Sequence, residues 1–296
     1  MLWIPFTLMA AFTQALRNAQ QKQLSVEVNA IGVTLARFIW ALPLALLYLG
    51  ILHLIVPTQI PLFTTRFIAS ISAAAVSQII ATMLMVMLFQ RRSYAAGVGL
   101  AKSEALLAAL LGVVFFGVIL GPVGWLGIAA GSLAIWLMKG KGQPGSLDVT
   151  TLLLGLGSGL CFALTTLCVR DACHQLPLPF MHSAASALVW SISIQVILLV
   201  SWLGWRDRST LQKLLQRPSL VFRISLTSSI ASLCWFTAVN LEDVALVKTL
   251  GQIEVLFTLF LSRHWLKEQV SARDKAGLLL ILAGAILVIW PSLPAG

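Results

Sequence analysis

Long apolar stretches alternate with short polar connections along almost the whole chain. Each stretch covers about 20 residues, the length that an α-helix needs to cross the hydrocarbon core of a bilayer. None shows the alternating polarity of a membrane β-strand of about 10 residues. The pattern predicts an all-α, polytopic membrane protein with ten transmembrane helices. The predicted spans are 2–20, 29–50, 66–90, 94–117, 120–138, 149–169, 180–203, 219–241, 243–263 and 271–290.

The composition agrees with this pattern. Hydrophobic residues make up 59% of the 296 residues and charged residues only 10%, whereas an ordinary soluble domain has roughly 25% charged residues. Ten spans leave almost no length for a soluble domain. The first residues, Met1 to Phe6, lack the basic segment of a signal peptide, so we expect the first helix to be retained.

The net charge of +10 is informative only through its distribution along the chain. Fifteen of the basic residues fall in the odd-numbered connections and two in the even-numbered ones, Arg66 and Arg170. The positive-inside rule then places the odd connections in the cytoplasm and both termini outside. We expect an integral protein of the plasma membrane, which is the inner membrane in a Gram-negative bacterium.

The chain contains an internal repeat. A shift of 150 positions places Glu104 on Glu254 and Trp40 on Trp190, and the span boundaries coincide. Five helices is an odd number, so the second half enters the membrane from the opposite side and the halves are inverted. The Gly- and Pro-rich linker 139–148 separates the predicted repeats, which we assign to residues 1–142 and 143–296.

Both halves carry a related motif in their fourth span. The first half reads Ala-x6-Lys-x-Glu-Ala-Leu-Leu-Ala-Ala-Leu-Leu-Gly over 95–112, and the second reads Ala-Leu-Val-Lys-Thr-Leu-Gly-Gln-Ile-Glu-Val-Leu-Phe over 245–257. The latter is followed by Lys-Glu-Gln at 267–269 and by Gly277 and Gly284. With two inverted five-helix halves in about 300 residues, the chain resembles the EamA family of the drug/metabolite transporter superfamily. This resemblance implies a ten-helix transporter and favours export.

Three features depart from that family. Ala105 and Val255 follow the membrane glutamates in place of proline, and Gly117-Val118 replaces the expected Gly-Glu element. In addition, characterised relatives commonly have cytoplasmic termini, whereas the loop charges here place the termini outside.

Five ionisable residues lie inside predicted spans: Arg37, Lys102, Glu104, Lys248 and Glu254. A charge near the bilayer centre costs about 2.5 kcal/mol or more, so such residues usually face the interior of a helical bundle or a water-filled cavity. Inverted-repeat transporters bind their substrates near the midplane, between the repeats. We therefore expect the lysines and the arginine to bind substrate, and the two glutamates to act in coupling or in charge pairs.

Lys102 and Glu104 lie about 200° apart around one helix, so each requires a partner elsewhere. One possibility is that Lys102 contacts a carboxylate or phosphate while Glu104 is neutralised by Arg37 or by protonation. The roles of Lys102 and Glu104 are equally open to exchange. Alternatively, Arg37 and Glu104 form a contact that only locks two helices together.

Polar and aromatic residues inside the spans complete the candidate cavity. Trp40 and Trp190 lie away from the headgroup region, where tryptophan is usually found. Their side chains could either line a cavity or simply pack between helices. Gly127 and Gly131 permit another helix to approach closely. The candidate wall residues are Trp40, Trp190, Gln78, Trp235 and Gln252, and further polar candidates are Gln14, Asn18, Thr165, Gln195 and Asn240.

No motif supports an enzyme, a cofactor or a metal site, since the chain has no phosphate-binding loop and no His-Glu-x2-His sequence. The leading hypothesis is a secondary transporter of a small polar metabolite, such as an amino acid or an organic anion. The alternatives are a non-transporting scaffold or accessory subunit, or an exporter of cationic drugs. The expected partners are a small-molecule substrate and the lipid bilayer, with coupling to protons or a counter-substrate, and no nucleic acid. Monomer and homodimer are both open.

Overall fold

A computed structural model describes residues 2–59, 61–102, 121–138, 149–242 and 244–289. Every regular element within these ranges is an α-helix, which confirms the all-α fold class. The helices are α1 (Trp3–Leu24), α2 (Ala30–Phe38), α3 (Ala41–Ile55), α4 (Thr65–Arg91), α5 (Tyr94–Ala101), α6 (Pro122–Met138), α7 (Val149–His174), α8 (Phe180–Arg206), α9 (Arg208–Gln216), α10 (Pro218–Leu241), α11 (Val244–Gly251), α12 (Glu254–His264) and α13 (Ala272–Ile289).

Five segments of the described chain are long and apolar enough to cross a membrane: α2 with α3, then α4, α7, α8 and α10. The remaining predicted spans are shorter, more polar or partly outside the described residues. In the fourth span, the stretch 103–117 lies outside them. The predicted boundary between the repeats, at 142 and 143, also lies outside them. The first predicted span, 2–20, extends to Leu24, so Lys22, which was counted with the first connection, belongs to helix α1.

The second predicted span, 29–50, is bent between α2 and α3 at Ile39 and Trp40. The hydroxyl of Ser225 on α10 donates to the carbonyl of Ala36 at 2.7 Å and accepts from the amide of Trp40 at 3.2 Å. These two backbone groups would normally bond to each other within the helix. A side chain inserted into the backbone ladder is a recognised cause of helix bending, and it ties α10 to this bend.

The ninth predicted span, 243–263, is also interrupted. Helix α11 ends at Gly251, Gln252 and Ile253 form a turn, and α12 begins at Glu254. Helix α5 covers Tyr94–Ala101, which is the α11 range moved by 150 positions. Interrupted membrane helices place their polar ends at depth, where they can face a ligand.

The helices associate in pairs across the predicted halves. The most extensive contacts join α4 to α7, α1 to α10 and α6 to α13, and α3 packs on α8 while α5 packs on α12. Exchanging each helix with its counterpart in the other half turns the α4–α7 pair into the α10–α1 pair and leaves the α6–α13 and α3–α8 pairs unchanged. This is the arrangement that two repeats related by a two-fold axis would produce.

Helices α6 and α13 meet through their backbones. A Cβ atom added to Gly284 would lie 2.7 Å from the carbonyl oxygen of Gly127 and 3.0 Å from the amide nitrogen of Gly131. This confirms that Gly127 and Gly131 permit close helix approach. Neither neighbouring group can move without shifting a whole helix.

We expect Gly284→Ala to lower the free energy of unfolding by about 1–3 kcal/mol, because the added methyl overpacks the α6–α13 contact. The measurement is the melting temperature of the purified protein. Gly50→Ala is the matched control, since Gly50 is also helical and has open space around its Cβ position. Equal melting temperatures for the two variants would contradict a tight α6–α13 contact.

Candidate functional site

A cavity of about 60 Å³ lies between helices of the two predicted halves. This volume has room for a few water molecules or a compact solute. The lining residues come from eight helices and their ends: Gln14, Asn18, Arg37, Gln78, Met85, Val98, Ala101, Lys102, Phe162, Thr165, Thr166, Val169, Ser232, Trp235, Phe236, Val239, Lys248 and Glu254.

The strongest interaction in the wall is an ion pair between Lys102 and Glu254, whose Nζ and Oε2 atoms lie 2.6 Å apart. Lys102 caps the C-terminal end of α5, and Glu254 is the first residue of α12. The end of a helix at which carbonyls are unsatisfied favours a cation, and the end with unsatisfied amides favours an anion. Each helix end therefore stabilises the charge that it carries, and the pair joins the two predicted halves.

Two amide side chains complete the bonding of Glu254, which is fully buried. Gln14 donates to its Oε2 at 2.6 Å and Asn18 donates to its Oε1 at 3.1 Å. With Lys102, the carboxylate thus accepts from three donors. Charged groups held away from water require this degree of compensation.

The orientation of each amide is fixed by a further donor. The indole N–H of Trp235 donates to Gln14 Oε1 at 2.8 Å, which leaves the NH₂ group of Gln14 facing Glu254. Arg17 donates to Asn18 Oδ1 through Nε at 3.1 Å and Nη2 at 2.7 Å, which does the same for Asn18. Because amide oxygen only accepts and amide nitrogen only donates, Trp235 and Arg17 position the donors of Glu254.

Lys248 faces the aromatic ring of Trp235. Its Nζ lies 5.0 Å from the ring centroid, within the range of a cation–π interaction. The six-membered ring of Trp235 also packs on Gly251, where an added Cβ would overlap the ring. Glycine at the end of α11 therefore sets the position of the ring beneath Lys248.

Arg37 and Gln78 occupy the wall contributed by the first half. Arg37 is buried and donates to Ser228 Oγ at 3.1 Å and to Thr82 Oγ1 at 2.6 Å. Gln78 accepts from Gln195 Nε2 at 2.7 Å. Within the described part of the chain, Arg37 contacts no carboxylate, so hydroxyl groups position its charge.

Three of the predicted wall residues lie elsewhere in the fold. Trp40 is 49% exposed at the bend between α2 and α3 and contacts Phe222, and Trp190 packs against Phe63 and Phe67. Gln252 is buried in the turn between α11 and α12. The described cavity lining includes none of these three. Glu104 lies outside the described residues.

Arg17 is the main residue of the site that the sequence analysis missed. It was counted with the basic residues of the first connection, although it falls within the predicted span 2–20, and the structure buries it inside α1, with 1% of its surface exposed. A signal was present, because Gln14, Arg17, Asn18 and Gln21 follow the i, i+3, i+4, i+7 spacing of one helix face.

A second polar cluster lies outside the described cavity lining. Lys22 donates to the carbonyls of Phe89 and Arg92 and lies 3.8 Å from Glu268. Glu268 accepts from the backbone amide of Tyr94 at 2.8 Å. These contacts connect α1, the junction of α4 with α5, and the loop after α12 on the face of the odd-numbered connections.

Comparison with known proteins identifies the class of this protein. Residues 149–290 match the sequence model of the EamA-like transporter family, which confirms the resemblance seen in the sequence. No curated protein matches the chain at a significant level. A chain described as "Crystal structure of protein" superposes with a TM-score of 0.59 at 15% identity, over 96% of each chain. At this identity the superposition shows a shared fold.

Residues 149–290 thus carry the sequence pattern of the EamA-like transporter family, whose members are membrane transporters. The charged cavity lies among the helices of this segment and of the half that precedes it.

We expect Trp235→Phe to lower the free energy of unfolding by about 1–2 kcal/mol, because Gln14 Oε1 loses its buried donor and the amide no longer has a fixed orientation toward Glu254. The aromatic face below Lys248 is retained. Thermal melting of the purified protein measures the effect. Trp202→Phe, at a tryptophan that is 51% exposed, is the control, and an equal change in both variants would contradict the positioning role.

Proposed function

We propose that the protein is a secondary active transporter that exports a small polar metabolite, such as an amino acid or an organic anion. The observation that carries this proposal is the Lys102–Glu254 ion pair, which lies in a cavity wall built from both predicted repeats. Transport proceeds by alternating access, in which the repeats move against each other around this cavity.

The charges of the cavity support a polar, preferentially anionic substrate. Among the described lining residues, the cations Arg37, Lys102 and Lys248 stand against one carboxylate, Glu254. The described part of the lining therefore has more positive than negative charge, which disfavours a cationic drug by direct repulsion. The small volume likewise favours a compact metabolite.

Alternating access requires that one end of the cavity be closed while the other is accessible. The Lys22–Glu268 cluster is suited to close the face of the odd-numbered connections, because it joins α1 to elements on either side of the ion pair. If the positive-inside rule gives the orientation, this is the cytoplasmic face of the plasma membrane, or of the inner membrane in a Gram-negative bacterium, and both termini are outside. A proton or a counter-substrate drives export.

We expect the double variant Lys102→Gln/Glu254→Gln to remain folded and to lose at least about 90% of flux, since it removes both charges and retains hydrogen-bonding groups. The assay is uptake and release of labelled amino acids and organic acids in proteoliposomes containing purified protein. Lys213→Gln is the control, because Lys213 is an exposed lysine on α9, and it should retain normal flux.

The scaffold alternative gives a different result. A scaffold would show no flux for any solute in the wild type, and loss of the charge pair would reduce folding or partner binding. A folded double variant with unchanged flux would contradict a substrate-binding role for the pair.

A further inference from the structure

The protein holds the two partners of the Lys102–Glu254 pair to different degrees. Glu254 is fully buried and accepts from Gln14 and Asn18 as well as from Lys102. It also lies at the N-terminal end of α12, which favours an anion. If Lys102 moved away, the carboxylate would therefore keep two fixed donors and a favourable helix end.

Of the two partners, Lys102 is the one whose charged group can change position more easily. Its ammonium group is held on a flexible stem of four carbons, and it borders a cavity in which Lys248 and Arg37 supply two more positive charges. An anion entering the cavity would compete with Glu254 for the same ammonium group. The two amides that bond Glu254 are themselves held by Trp235 and Arg17, so they would stay with the carboxylate.

We propose that Glu254 acts as an internal substitute for the substrate: it pairs with Lys102 in the empty cavity and releases Lys102 to the carboxylate or phosphate group of a small organic anion when that anion binds. Lys248 and Arg37 line the remaining cationic walls. This inference rests on the proposed transport function and assigns its substrate class and the role of the ion pair.

The exchange has a consequence for the transport cycle. A transporter that changes conformation without substrate must carry Lys102 through a low-dielectric environment, where an unpaired charge is costly. Glu254 neutralises Lys102 in the empty state, and the substrate anion neutralises it in the loaded state. Removal of Glu254 should therefore impair the return of the empty transporter and spare the loaded one.

The binding test uses wild type and variants with L-glutamate, malate, inorganic phosphate and 3-phosphoglycerate as anionic probes, and with L-alanine and glycerol as probes without net charge. Ligand-dependent thermal stabilisation gives the apparent Kd. We expect an anionic probe to stabilise the wild type, and Glu254→Gln to bind it about tenfold more tightly because the competitor for Lys102 is gone. Comparison of the carboxylate and phosphate probes identifies the anionic group.

A double-mutant cycle separates this mechanism from a general change in cavity charge. If Glu254 competes through Lys102, Glu254→Gln should have little effect in a protein that already carries Lys102→Gln. An equal tightening in both backgrounds would overturn the proposed exchange. Glu27→Gln is the control for loss of a carboxylate, since Glu27 is exposed and paired with Arg217 away from the cavity, and it should not change the Kd.

Glu254→Asp provides a second route if Glu254→Gln does not fold. The shorter side chain keeps the charge and weakens the contact with Lys102, so anion binding should again tighten. Unchanged or weaker binding by a folded Glu254→Asp or Glu254→Gln protein would overturn the proposal.

Flux measurements test the cycle separately. In proteoliposomes, Glu254→Gln should retain exchange of internal for external anion and lose most net efflux, whereas Lys102→Gln should lose both. Equal loss of exchange and net efflux in Glu254→Gln would contradict the role of Glu254 in the empty state. Transport of only neutral or cationic solutes would overturn the anion assignment and leave the transporter function intact, and absence of all flux would remove the transporter function itself.

Discussion

The central constraint on this fold is that charged side chains inside the membrane must be neutralised without water. Lys102 and Glu254 meet that constraint together, and the surrounding architecture follows from their contact. The helix interruption before Glu254 places the carboxylate at the N-terminal end of α12, and Lys102 lies at the C-terminal end of α5. Helix α1 is polar on one face because it must supply Gln14 and Asn18 to the same carboxylate.

The contacts around the ion pair form a continuous chain rather than separate bonds. Lys248 contacts the ring of Trp235, whose N–H orients Gln14, whose amide donates to Glu254. A change at Lys248 can thus reach Glu254 through two hydrogen bonds and one aromatic ring. Such coupling is what a transporter requires if events in the cavity are to bias the arrangement of its helices.

Much of this architecture is predictable from the sequence because lipid imposes simple rules. The apolar spans indicated the all-α membrane fold, and the cost of charge in a bilayer singled out Lys102, Lys248, Arg37 and Glu254 before any contact was known. The pairing of Lys102 with Glu254 was not predictable, since the two lie 152 positions apart and their contact depends on how α5 and α12 pack. The interruption at Ile39 and Trp40 has a local signal in Pro43, which cannot donate to the carbonyl of Ile39. Its contacts with Ser225 were not predictable, because they depend on a distant helix. Trp40 and Trp190 were ambiguous because an apolar ring suits a cavity wall and a helix interface equally well.

The backbone contact between α6 and α13 differs in kind from the rest of the molecule. The cavity is lined by side chains with alternative rotamers, whereas Gly284 meets the main chain of Gly127 and Gly131 directly. A contact between two backbones has no side-chain rotamers that could adjust, so the two helices either remain in contact or separate. Helices α6 and α13 are therefore suited to form a rigid pair relative to which the charged helices can move.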